Sequence, residues 1–254
     1  MAMDLAQLVR ALSEQSTPDA DGGRLRLPTE RALVDSLEIS RGALREQLSI
    51  LEHLGFLDRT QGRGSYLTAP GTGFLQLYFD LAGQLGHLSQ PEFRDAREIL
   101  ETALAEAAAR RATADDVDAL RALVDEMVRA TTAGEHGAAL EADLDFHRRL
   151  CEIVGNPVFS MLHDALSHAL RSELVERREL AGQVPLPPGR SLVIDTVHYG
   201  IVEAIDGRDA EGARAAMRRH FEVWSAFTDA SATDTSAIDT SVHEAARPSA
   251  ASDH

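Results

Sequence analysis

The chain of 254 residues carries 25 basic and 41 acidic side chains, a formal net charge of −16, and every basic residue is an arginine. The absence of lysine excludes a Walker-type phosphate loop, a Schiff-base enzyme and a Ser-x-x-Lys nucleophile, and the single cysteine, Cys151, excludes an internal disulfide and reads as a small core residue. No 18-residue apolar run and no signal peptide are present, so a cytoplasmic protein of two modest domains is expected.

In chain order, residues 1–12 form a short amphipathic stretch (Leu5, Leu8, Val9, Leu12). Thr29, after Pro28, is placed to cap a helix whose apolar positions are Leu33 and Leu37, and Ser40 is placed to cap the next. From there Leu44, Leu48 and Leu51 recur at spacings of four and three and turn one stripe toward a core, while Arg41 and Arg45 stand one turn apart outside it. That is the pattern of a recognition helix, whose N-terminal arginines suit the paired acceptors of guanine in the major groove. Beyond Gly55, Phe56 to Arg59 and Ser65 to Leu67 read as strands joined by a wing over Thr60 to Gly64, with Arg63 between two glycines at its tip. Two short helices followed by a β-hairpin make a winged helix-turn-helix, and the expected partner is double-stranded DNA.

An acidic protein meets a polyanion only through a local cation cluster. Residues 1–70 hold 8 arginines against 10 acids, and the remainder holds 17 against 31, so the acidity sits mostly in the second part. Strongly salt-dependent binding by a dimer is expected.

Thr68 to Gly73 is turn-rich and forms the expected boundary: a DNA-binding domain over 1–68, a hinge over 69–73 and an all-α domain over 74–228. Helical periodicity recurs over 74–86, 92–112, 114–132, 136–154, 157–181, 189–206 and 209–228, which predicts an antiparallel bundle of six to seven helices. The fold class is therefore mainly α, a winged helix-turn-helix followed by a bundle. From about Asp229 the chain turns to Ala, Ser, Thr and Asp, and residues 229–254 are expected to be a disordered tail.

Within the bundle, Asp143 and His147 lie four apart and share a helix face. His198 and His220 fall about ten residues before and twelve after the break at Asp206 to Arg208, so folding back there makes them neighbours at roughly 15 Å from the turn. Spacing alone leaves two readings open, a metal site or core histidines with ordinary partners.

The segments Leu27-Pro-Thr-Glu-Arg31, Ser40 to Glu46 and Gly62 to Tyr66 resemble the DNA-binding domain of the GntR family of bacterial transcription regulators over roughly residues 5–67. The resemblance implies DNA contacts by Arg31, Ser40, Arg41, Gly42, Ala43, Arg45, Gly62 and Arg63. The stretch Thr17 to Arg26 departs from it, being longer and richer in Asp and Gly. The sequence Asp143-Leu-Asp-Phe-His147-Arg-Arg-Leu followed by Gly155-Asn156-Pro157, with His198 and His220, looks like the FCD effector-binding domain of FadR-type regulators over about 74–228.

That likeness implies a divalent metal held by Asp143, His147, His198 and His220, zinc foremost, with nickel or manganese as alternatives. It also implies a small carboxylate effector, with Arg97 facing its cavity; a surface Arg97 paired with Glu101 is the competing reading. Asn156 is read as a turn residue. The expected function is a homodimeric, non-enzymatic repressor on a palindromic operator. The alternatives are a metal-dependent hydrolase or lyase carrying a winged domain, and a regulator whose metal is purely structural.

Overall fold

The computed structural model describes residues 4–19, 24–60, 64–69, 71–183 and 192–233. The chain divides into two compact units, 1–78 and 79–254, each considered by itself.

In the first unit, helix α1 (Leu5–Gln15) is closed at its start by a reciprocal capping box between Asp4 and Gln7. Two-residue strands β1 (Thr17–Pro18) and β2 (Leu25–Arg26) follow, then α2 (Glu30–Leu37), α3 (Arg41–His53), β3 (Leu57–Thr60) and β4 (Gly64–Leu67). Thr29 and Ser40 do cap their helices: each side-chain oxygen accepts the amide three residues on, at 3.3 Å from Ala32 and 3.2 Å from Ala43. The sheet is antiparallel in the order β1-β2-β4-β3. The wing hairpin is thus extended by a second one, built from the ends of the unusual 17–26 stretch, with Leu25 opposite Leu67 and Arg26 opposite Tyr66. Leu8, Leu12, Leu27, Leu33, Leu44, Leu48, Leu51 and Leu57 close the core between α1, α2, α3 and the sheet. Each fully buried leucine contributes roughly 2 kcal/mol relative to leaving it in water.

Helix α4 (Gly73–Gln84) runs across the boundary between the units. The second unit continues with α5 (Gln90–Ala109), α6 (Ala114–Thr132), α7 (His136–Val154), α8 (Pro157–Ala169), α9 (Arg171–Gly182), α10 (Val193–Asp206) and α11 (Ala210–Thr233). The punctuation is local and chemical. Thr113 and Asp116 form a capping box at the start of α6. Gly155 ends α7 in the left-handed conformation, φ 71°, and the Asn156 side chain then accepts the Val158 amide at 3.0 Å to start α8 on Pro157. The periodic stretch expected as one helix over 157–181 is instead two, α8 and α9, which meet at Leu170. Leu170 is 2% exposed, with neither Gly nor Pro beside it, so the break has no turn chemistry to announce it.

The bundle core runs from Leu104 and Ala108 on α5 through Leu120, Val124 and Met127 on α6 and Phe146 and Leu150 on α7 to Ile201, Ile205 and Met217 on α10 and α11. Alanines at 105, 108, 109 and 112 let the neighbouring helices approach α5 closely. Among the described residues no helix is long and apolar enough to cross a membrane.

Candidate metal centre and DNA-contact surface

Helices α7, α10 and α11 place the rings of His147, His198 and His220 together: ring centroids are 5.6 Å apart for His147 and His198, 5.0 Å for His147 and His220, and 4.4 Å for His198 and His220. The tight α10–α11 turn at Gly207 to Asp209 makes the last two neighbours across a hairpin. All three are at most 2% exposed. One ligating atom from each can be chosen such that the three lie within 4.8 Å of one another. Asp143, one turn before His147, joins them with its Oδ1 3.2 Å from His198 Nε2.

The chemistry of these donors fits a divalent cation. His198 Nδ1 sits 2.9 Å from the Asp195 carbonyl, an acceptor only, so Nδ1 donates there and Nε2 faces the cluster. His198 Nε2, both ring nitrogens of His147 and His220 Nδ1 are buried without a hydrogen-bond partner in the protein. A native interior rarely tolerates that many orphaned nitrogens unless something else satisfies them. Burial, reinforced by the His198 and His147 rings, holds His220 well below the usual imidazole range, so it is neutral and able to ligate. Burial also outweighs the Glu101 carboxylate and lowers His147. Burial works against charge on Asp143, but His198 and the Arg178 guanidinium keep its carboxyl well below the ordinary range, so it is an anion. Three imidazoles and one carboxylate make a donor set that would suit zinc or a similar borderline ion.

Around these four lies a ring of buried charge that sequence reasoning did not assemble. Glu101, fully buried, takes Arg97 Nε at 2.6 Å, has His163 Nε2 at 3.4 Å, and lies 2.8 Å from His147 Nδ1 through Oε2, without the alignment of a hydrogen bond. Desolvation opposes its charge; Arg97 and His147 overcome it and hold the carboxyl well below the usual range. Arg97 is 4% exposed, so the surface reading of the Arg97–Glu101 pair is wrong: the i, i+4 spacing was visible, but the face it lies on was not. Arg97 also lines a cleft of about 260 Å³ between α5, α9 and α11, together with Arg94, Glu173, Arg177 and Phe221. On the other side, Arg178 of α9 bridges Asp143 and Asp195. The position of Arg178 relative to the histidines carries no sequence signal, because it lies on a different helix from all three, whereas Asp195 stands three residues before His198 on α10, a local spacing like that of Asp143 and His147.

In the first unit, Arg31, Ser40, Arg41, Gly42, Ala43 and Arg45 are all exposed. Ser40 and the following residues form the N-terminal end of α3, and Arg31 lies in the first turn of α2. Arg45 Nε is paired with Glu30 Oε2 at 2.8 Å, an exposed ion pair of the kind that contributes little to stability and that a phosphate or base edge can displace. Gly62 and Arg63 lie outside the described residues.

A winged helix-turn-helix with cations at the start of its second helix, followed by an all-α unit centred on buried histidines, defines a class: two-domain DNA-binding regulators. Comparison with known proteins makes this specific. Residues 24–67 match the family model "Bacterial regulatory proteins, gntR family", and residues 92–223, over half the chain, match the FCD domain. The chain is 27% identical to the HTH-type transcriptional repressor NanR of Cronobacter sakazakii, over 80% of this chain and 78% of that protein. It is 28% identical to NanR of Enterobacter sp., over 81% and 79%. Among solved structures it is similar to Streptococcus agalactiae GntR, with TM-score 0.62 and 24% identity over 86% of this chain and 95% of that one, a likeness of fold. The chain belongs to the GntR family and carries an FCD domain, and it is a DNA-binding transcription regulator rather than an enzyme.

Proposed function

We propose that this protein is a homodimeric transcriptional repressor whose helical unit binds a divalent metal, zinc foremost, and a small organic acid that changes operator affinity. The observation that carries the sensing half is the buried triad of His147, His198 and His220, whose unpartnered nitrogens lie beside an ionised Asp143. The repressor half is supported by the NanR relatives. These four residues would hold the ion, and an ion with an open position supplies a Lewis-acidic point for a carboxylate. Arg97 would pair with the same ligand: it is buried, its Nη2 has no partner, and it lines the cleft between α5, α9 and α11.

The winged unit would contact operator DNA through Arg31, Ser40, Arg41, Gly42, Ala43, Arg45, Gly62 and Arg63, with residues 69–73 as the hinge to a sensing domain over 74–228. A symmetric dimer reads a palindrome with half-sites about one helical turn apart. The ligand acts only if it binds one arrangement of the protein better than the other. A second reading, a purely structural metal, is favoured by the near-complete burial of the four residues, since structural sites are closed.

The test is operator footprinting with metal-free protein, zinc-loaded protein, and zinc-loaded protein with a panel of sugar acids and hydroxy acids. The proposal expects a protected palindrome whose occupancy one acid changes only when zinc is present. Occupancy indifferent to every acid, with calorimetry showing no acid binding, leaves the structural metal. Absence of any protected palindrome near its own promoter refutes the repressor.

A further inference from the structure

Arg178, on α9, reaches into the histidine cluster through Asp143. Its guanidinium is 3% exposed, stacks 5.3 Å from the Trp224 ring centroid, donates through Nη1 to Asp195 Oδ1 and through Nη2 to Asp143 Oδ1 at 3.3 Å. The Asp143 oxygen it holds is the same one that lies 3.2 Å from His198 Nε2. A metal that took this Asp143 oxygen would compete with Arg178 for it and set a second positive charge beside the guanidinium, where like charges repel.

One further atom shows where Arg178 can go. Asp195 Oδ2 is buried and lacks a hydrogen-bond partner. It is the vacant acceptor of an end-on bidentate pair, in which Nη1 and Nη2 of one guanidinium face the two oxygens of one carboxylate. If Nη2 leaves Asp143, Arg178 closes that second bond on Asp195 and no buried charge is stranded, which would otherwise be strongly destabilising.

Resting on the reading of Asp143 as a metal ligand, we propose that Arg178 is a positioning residue that serves as an internal counter-cation. It holds Asp143 when no metal is bound, weakens metal binding by competition, and transfers fully to Asp195 when the metal takes Asp143. The transfer removes the buried polar tie from α9 to α7, leaving the exposed Arg171–Glu141 pair and the apolar cluster that Leu174 shares with Leu140 and Leu144, and strengthens the tie to α10, so α9 becomes the element through which metal occupancy is felt. This also accounts for a fully buried Asp195 three residues before His198: its side chain receives Arg178, and its carbonyl accepts from His198 Nδ1.

The experiment uses the full chain, zinc alone and a competing chromophoric chelator, comparing wild type with the double variant Arg178→Met, Asp195→Asn, which removes both charges while keeping an unbranched side chain at 178 and the shape of Asp195. The expected result is zinc bound at least about tenfold more tightly by the variant, because the competing cation is gone. In parallel, amide hydrogen exchange over 171–182 in the wild type should speed up on adding zinc, and in the variant it should not respond. An equal or weaker zinc affinity in a variant with a native circular dichroism spectrum overturns the proposal. So does wild-type exchange over α9 that zinc leaves unchanged, a measurement that stands even if the variant fails to fold. Arg178→Lys, which keeps a cation, should remain near the wild-type affinity, and binding as tight as the double variant's would refute competition by charge. Wild-type protein that binds no zinc overturns the metal reading itself, and this inference with it.

Discussion

Replacing Glu101 with glutamine tests whether the ring of buried charge supports the histidine cluster. Glu101 presents one carboxylate oxygen to Arg97 at 2.6 Å and the other to His147 at 2.8 Å, with neither of its partners more than 4% exposed. Glutamine has the same shape but a single acceptor oxygen, which the Arg97 hydrogen bond requires. Glutamine also brings no negative charge, so Arg97 keeps a buried charge without a counter-ion. Breaking a buried ion pair in this way costs about 3–5 kcal/mol. For a unit of this size roughly 2–4 °C of melting temperature is lost per kcal/mol, so Glu101→Gln should melt about 10 °C below wild type without metal. Loss of the carboxylate that orients a ligating histidine weakens metal binding about 10- to 100-fold. Thermal melts followed by circular dichroism and zinc titration against a chelator measure the two effects separately. An unchanged melting temperature and unchanged zinc affinity would refute the reasoning, because the network would then be a coincidence of packing.

His220→Ala removes one of the three clustered imidazoles and should abolish tight zinc binding while operator affinity of the metal-free protein stays at the wild-type level; gel-shift assays with and without zinc check both halves. Arg45→Ala, which also leaves Glu30 unpaired, should weaken operator binding and relax discrimination at one base pair by about 1–3 kcal/mol, read from a panel of single-base operator variants. The Cys151 thiol is buried and pushed up to about 12 by burial and by the carboxylates of Glu101, Asp164 and Glu152. Native protein should therefore resist a thiol reagent at mildly alkaline pH and react through this single thiol only after unfolding, and rapid native labelling would show that α7 is far less tightly packed than described.

The output end of the molecule is legible in the sequence because each of its features is local. Thr29 and Ser40 meet their capped amides three residues away, and Leu44, Leu48 and Leu51 share a stripe through helical periodicity alone. Asp143 and His147 are legible for the same reason, and His198 and His220 nearly so, since a short turn midway between them reduces a long-range contact to a symmetric hairpin. Three things needed the tertiary structure. The extra strand at Leu25–Arg26 depends on pairing with β4, some 40 residues away, and Thr17–Pro18 joins the sheet only through it. The division at Leu170 follows from packing rather than from a residue that breaks helices. Above all, whether an arginine or a glutamate is buried depends on which helix faces converge. Arg97 and Glu101 looked like a surface pair, and Arg178 and Asp195 looked like ordinary charges on separate helices, until four helices enclosed them. Chemistry between residues a turn apart is written along the chain, whereas the desolvation and charge compensation that tune it belong to contacts that exist only once the bundle has closed.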